Sequence, residues 1–208
     1  MRLTRALTLI LLGGLLLGAA CSQAAAGPPW MKLDASRGSD YAWTVKVKPG
    51  GGQVSRVPEE PGPCVLVDTM WRSGPLEYHR SKYRECGSGQ ALSDGGPPLV
   101  ATGMRPAGSG SGQMSVVGMI SAPAVRRVRI TLQGGAEETV QMQPIDSEQA
   151  RRVGLGSFRY AAFAIRGVWC AERLVSLGAA GSVLWDSGLD SYRCGAEGPP
   201  QFMPRAAS

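Results

Sequence analysis

An antiparallel β-sandwich braced by two disulfides is the fold class this sequence predicts, and three observations carry it. Apolar residues recur with period two on both sides of a glycine pair. Val128, Ile130 and Leu132 alternate with Arg127, Arg129 and Thr131; Gly134-Gly135 follows; Val140 and Met142 then alternate with Thr139, Gln141 and Gln143. This is the pattern of a β-hairpin with one buried and one wet face. Glycine and proline, at 29 and 15 of 208 residues, interrupt the chain too often for long helices and suit short strands joined by turns. Finally, Cys64, Cys86, Cys170 and Cys194 form an even set in a chain whose leader marks it for export. A small β-barrel is the alternative architecture, since strand spacing alone does not separate the two.

The leader comes first in the chain. Met1 to Arg5 carries two arginines, Ala6 to Leu17 is almost wholly apolar, and Gly18-Ala19-Ala20-Cys21 closes the run. A charged start, a short apolar stretch and small residues before a cut site make a secretory signal peptide, read here as residues 1–20. The apolar run falls short of the roughly 20 residues needed to span a bilayer. The small residues ending at Cys21 resemble the lipobox of bacterial lipoproteins, which implies lipidation of Cys21 and anchoring to the outer face of the cell membrane. Cleavage after Ala26, with release of the protein, is the other route. Residues 21–40 are small, polar and turn-prone, and are read as a flexible tether.

The domain is placed at residues 41–195. Trp43 to Lys48 alternates cleanly and stops at Pro49-Gly50-Gly51-Gly52. Cys64 to Trp71 is a strong strand, turned by Ser73-Gly74-Pro75 into Leu76 to Tyr83, which returns toward Cys86. Leu99 to Met104 and Met114 to Ile120 are further strands, and Arg105 to Gly112 is a flexible insertion between them. After the Gly134-Gly135 hairpin, Ile145 to Arg152 is fit for one helical turn, because Asp146 or Ser147 can cap it. Phe158 to Ile165, Leu174 to Leu177 and Val183 to Trp185 complete nine or ten strands. The tail at 196–208 is expected to be disordered. Four cysteines allow three pairings; proximity in sequence favours Cys64 with Cys86 and Cys170 with Cys194.

Few residues suggest chemistry. His79 is the one histidine, and a Ser-His-Asp hydrolase would have to use it with an acid such as Asp68 or Asp94. No nucleophile elbow is present, and the histidine reads as an exposed strand residue. The run Gly108 to Gly112 lacks the Lys-Ser/Thr of a phosphate-binding loop and reads as a hairpin tip. Asp68, Glu77, Asp186 and Asp190 could supply a glycosidase pair, though nothing in the spacing brings two together. Zinc finds no close cysteine pair and calcium no dense run of oxygen ligands, so no metal or other cofactor is expected. Arg126, Arg127 and Arg129, with Arg151 and Arg152, could meet an anionic polymer or phospholipid head groups. Of Trp30, Trp43, Trp71, Trp169 and Trp185, three sit within strand-like runs and are expected in the core, and Trp169 beside Cys170 resembles the indole packed against a disulfide in sandwich domains. The formal charge is +6, or +4 without Arg2 and Arg5, too dispersed to predict nucleic-acid binding. Four lysines stand against eighteen arginines and asparagine is absent, a bias that suits a GC-rich genome.

The series Val116-Val-Gly-Met-Ile-Ser121, Val125, Val128, Ile130 and Leu132, a glycine turn, an aromatic-alanine strand and a final Gly-x-Val-Leu resembles secreted proteins and lipoproteins of actinobacteria. In those, an immunoglobulin-like (Ig-like) β-sandwich carries V-x-V-x-L-x-D-G, a Phe-rich strand and a closing D-x-x-G-x-V-L. The resemblance spans Val116 to Trp185 and implies an Ig-like sandwich in an exported or lipid-anchored protein. The expected function is a non-catalytic binding or structural module with an envelope protein or polymer as partner. An extracellular hydrolase, or an accessory subunit or regulator of an envelope enzyme or transporter, is the alternative.

Overall fold

The computed structural model describes residues 29–50, 53–54, 57–58, 62–87, 92–93, 95–105, 112–188 and 201–202. In chain order the strands are β1 (Met31–Arg37), β2 (Tyr41–Lys48), β3 (Gln53–Val54), β4 (Val57–Pro58), β5 (Cys64–Arg72), β6 (Tyr78–Cys86), β7 (Leu99–Arg105) and β8 (Met114–Ser121). They continue with β9 (Arg127–Leu132), β10 (Glu137–Gln141) and β11 (Gln143–Pro144), the helix α1 (Ser147–Arg152), then β12 (Arg159–Arg166), β13 (Ala171–Leu177), β14 (Val183–Asp186) and β15 (Gln201–Phe202). Every pairing is antiparallel. The first sheet runs β1-β2-β5-β6, the second β11-β12-β8-β7 with β15 also on β12, and the third β10-β9-β13-β14; β3 and β4 make a separate ribbon.

The second sheet is the middle of three layers, and β8 explains why. Residues on a strand point alternately to opposite faces, so a strand with water on one side alternates buried and exposed positions. All eight positions of β8 are buried. Met114, Val116 and Ile120 join a core with Trp43, Val45, Val47, Val65 and Val67 of the first sheet. Val117 and Met119 face the other way, into a core with Val128, Ile130, Leu132, Ala171 and Leu174 of the third. Strand β12 divides in the same manner, Ala162 going to the first core and Ala161 to the second.

Two glycines set how closely the first sheet lies on the second. A Cβ at Gly118 would stand 2.6 Å from Val45 Cγ1 and 3.2 Å from Val65 Cγ1. One at Gly103 would stand 2.7 Å from Val67 Cγ1 and 2.9 Å from Thr69 Cγ2. Valines of the outer layer thus occupy the space that side chains would take, the close approach for which strand glycines are used.

On the far side, Ser115 ties the middle layer to the β12–β13 connection. Its buried hydroxyl donates to the Gly167 carbonyl at 2.8 Å and accepts from the Trp169 amide at 2.9 Å. Ser115→Ala leaves both backbone groups without that partner, so a loss of about 1–3 kcal/mol is expected, read as a lower urea midpoint at unchanged slope.

The all-β, antiparallel expectation holds, and the helical turn forms where the capping residues placed it, with Asp146 accepting from the Glu148 amide. Several expectations are corrected. Three open sheets replace the two layers of a simple sandwich, because β8 and β12 carry apolar or small residues on both faces. The barrel alternative fails among the described residues, since each sheet ends in unpaired edge strands. The segment 21–40, expected as a tether, contains β1, which pairs along the length of β2. Within the tail at 196–208, Gln201 and Phe202 pair with Arg166 and Ile165. One of the two expected disulfides is seen whole, joining Cys64 to Cys86 across directly paired positions of β5 and β6. Cys170 is disulfide-bonded, while Cys194 lies outside the described residues, as do Cys21 and the expected leader at 1–20.

Candidate functional site

His79 sits at the start of β6, stacked on Trp71 with ring centroids 5.5 Å apart and planes 18° from parallel. Its Nε2 lies 2.6 Å from Ser73 Oγ and 3.2 Å from Glu77 Oε1. Serine, histidine and acid are therefore together, but in an order that does not make a nucleophile. A triad needs the acid on one ring nitrogen, to orient the imidazole, and the hydroxyl on the other, to give up its proton. Here both compete for the same nitrogen, in an exposed turn. The arrangement braces the β5–β6 connection. Of the acids considered as partners for His79, Asp68 is engaged elsewhere and Asp94 lies outside the described residues.

Two of the candidate carboxylates, Asp68 and Asp186, are committed to arginines. Arg80 donates from Nε to Asp68 Oδ1 at 2.7 Å and from Nη2 to the other oxygen. Arg173 grips Asp186 in the same two-pronged way, with Nε to Oδ1 at 2.9 Å, and the Gly188 amide adds a third donor at 2.9 Å. The hydrogen bond from Arg80 pulls the Asp68 carboxyl below its usual range; the Arg173 hydrogen bond, then the Gly188 amide, hold Asp186 at about 2. A general acid needs the opposite shift, and these two carboxyls lie on the first and third sheets with the middle layer between them. Asp190 lies outside the described residues, as do 108–111 of the glycine run. Among the described residues no three His, Cys, Asp or Glu side chains stand together to hold a metal ion.

Both depressed carboxyls link stability to pH. A group whose pKa is lower when folded contributes stability that is complete above its unfolded value and is lost as pH falls toward the folded one. For Asp186 that window runs from its ordinary 3.8 down to about 2. Asp186→Asn is expected to flatten the fall in thermal midpoint across that window while leaving its shape near neutrality unchanged, as a pH series of melting curves would read.

The arginines that could meet an anionic partner are divided by the fold. Arg127 and Arg129 project from β9 on the third sheet, where Asp186 is close enough to Arg129 to feel its charge. Arg151 and Arg152 belong to α1, which packs Ala150 into the opposite core, and Arg152 pairs with Glu148. The tryptophans serve packing: Trp43 and Trp71 are buried, Trp185 is partly buried on the second core, and Trp169 meets Phe163 edge-on at 5.9 Å. Trp30 lies 5.2 Å beneath the Lys48 ammonium.

The concentrated feature is the outer face of the first sheet. Its inner residues, Trp43, Val45, Val47, Val65 and Val67, are fixed by the core. Alternation therefore turns Lys46 on β2, Arg72 on β5, and Arg80 and Lys82 on β6 outward. The register sets these side by side with Lys32 and Arg37 of β1: Lys32 opposite Lys46, Arg37 opposite Ala42, Arg80 opposite Met70, and Lys82 opposite Asp68. Arg84, opposite Leu66, follows Lys82 on the same side, so seven cations share the face with Asp68; Asp40 and Glu77 stand in the turns at one end. Apolar side chains are exposed among them, Met70 at 41% and Tyr78 at 62%, and Leu76 at the rim is 93% exposed. The Arg72 guanidinium lies 5.2 Å over the Tyr78 ring. Two shallow grooves meet at Ala42 and Met70, of about 70 and 180 Å³, below the roughly 300–1,000 Å³ of small-molecule sites. The face is built to lie against something extended rather than to enclose a molecule.

No protein-family model, curated protein or solved structure matches this chain. A signal for the face was nevertheless present in the sequence. The chain has four lysines, Lys32, Lys46, Lys48 and Lys82, and all four lie in the first sheet. Against eighteen arginines spread throughout, that placement is the trace of the face in the sequence.

Proposed function

We propose that this protein is an exported, envelope-anchored binding module without catalytic activity, held by a lipid on Cys21 and working through the outer face of its first sheet. The observation that carries the reading is that face, where lysines and arginines from all four strands stand with exposed Met70 and Tyr78 over a rigid two-sided core. The leader and its closing Gly-Ala-Ala-Cys21 support export and lipidation, and the resemblance to actinobacterial lipoproteins agrees with both. The geometry of His79 speaks against the hydrolase alternative, because its two neighbours share one nitrogen.

Mass spectrometry of the N-terminal peptide from the native host tests the anchor. A peptide beginning at Cys21 and carrying a diacylglyceryl mass is expected; one beginning at Gly27 would mean release and end the anchored reading. His79→Ala is expected to leave ligand binding unchanged, since the ring faces the Trp71 side of the sheet. A hydrolytic activity lost with that substitution would replace a binding module by an enzyme.

A further inference from the structure

The occupant of the cationic face follows from its charge, its apolar rim and the point where the chain enters it. We propose that the first sheet lies flat on the anionic phospholipid headgroups of the membrane to which Cys21 ties the chain; the inference rests on the binding-module reading above.

Three observations converge. First, Lys32, Arg37, Lys46, Arg72, Arg80 and Lys82 face one way with Asp68 as the one carboxylate among them, so the face attracts negative charge and repels a second copy of itself. Each lysine or arginine near an anionic membrane contributes about 1 kcal/mol of attraction, an effect confined to a Debye length. Second, Met70, Tyr78 and Leu76 are exposed on or beside this face. A soluble polyanion has no use for an almost fully exposed leucine, whereas the boundary between headgroups and acyl chains accepts leucine and the aromatic ring with cations around them. Third, β1 contributes Lys32 and Arg37 and begins ten residues after Cys21. At no more than about 3.3–3.6 Å per residue, a lipid on Cys21 holds Met31 within roughly 35 Å of the bilayer. The anchor thus enters the molecule at the edge of the cationic sheet.

The test uses the chain from Cys21 to Ser208, oxidised and carrying Cys21→Ser, which retains every described element and has no lipid of its own. It is sedimented with vesicles of phosphatidylcholine alone, with vesicles mixed with phosphatidylglycerol, and titrated separately with soluble polyglycerol phosphate. Partition into the mixed vesicles, weakened by salt, is expected. Lys32→Gln, Lys46→Gln and Lys82→Gln together should lower it about 100-fold, and the corresponding three Lys→Arg changes should restore it. Leu76→Ser should lower vesicle partition about tenfold. Binding to polyglycerol phosphate without binding to vesicles would overturn the lipid assignment and leave the binding-module reading standing. Binding to neither would overturn both, and vesicle binding indifferent to the three lysines would overturn the assignment of the face.

Discussion

Gly118→Val is expected to cost about 3 kcal/mol of folding stability, a large part of the roughly 5–15 kcal/mol that holds a domain together. The first carbon of the new side chain already falls 2.6 Å from Val45 Cγ1 and 3.2 Å from Val65 Cγ1, both valines being fully buried. Neither neighbour is a flexible chain end that can turn aside, and Gly118 lies in the middle layer, where a backbone shift away from the first core crowds the second. The contrast is Gly156, where a Cβ meets nothing within 4 Å; Gly156→Ala is expected to stay within about 0.5 kcal/mol of the parent. Urea unfolding of both variants measures the difference. Gly118→Ala combined with Val45→Ala should cost less than the two separate losses added, because the second change removes the methyls the first one strikes. Plain additivity would mean that the two layers do not touch as described.

Replacing Cys64 and Cys86 together with alanine is expected to cost about 3 kcal/mol, since the bridge closes a loop of 22 residues and chain entropy sets its worth at that size. The loss should be uneven. Strand β6 is an edge strand whose residues are all exposed or half-buried; it lies over β7 but is hydrogen-bonded in its sheet to β5 alone, so β5 and the disulfide hold its register. In the alanine variant, amide exchange across Tyr78–Cys86 should accelerate well beyond that of Met114–Ser121, which is buried on both sides. Uniform acceleration along the chain would show that the bridge stabilises the whole fold rather than one hairpin. Because β6 supplies Arg80 and Lys82, the same variant should also bind less.

Much of this fold was legible, for reasons particular to each segment. The hairpin around Gly134-Gly135 could be read because one face of β9 is buried and the other is not, and both glycines take positive φ, at 89° and 81°. The turn at Ile145 to Arg152 announced itself through a capping aspartate. By contrast β1 carries little strand signal and reads as tether. Its register slips between Lys32 and Asp34, which breaks the period-two signal, and Leu33 is its one buried residue. The third layer is hidden for an opposite reason: Met-Ser-Val-Val-Gly-Met-Ile-Ser is plainly a strand, but period alone does not say that both its faces are covered. Sheet register decides the candidate site. Arg126, Arg127 and Arg129 stand close in sequence, yet the third sheet sets Arg129 near Asp186. Lys32, Lys46 and Lys82 are up to fifty residues apart and are brought onto one face by pairings that no local pattern encodes.

Lysine acylation of the protein in intact envelopes, compared with the same protein after detergent extraction, tests the working face most directly. All four lysines lie in the first sheet, so the reagent reports on that sheet and little else. Lys32, Lys46 and Lys82 are expected to be protected in the envelope and to react once extracted, whereas Lys48, buried against Trp30, should react slowly in both. Equal reactivity of Lys32, Lys46 and Lys82 before and after extraction would mean that this face meets solvent in the cell, and would contradict its role as the binding surface.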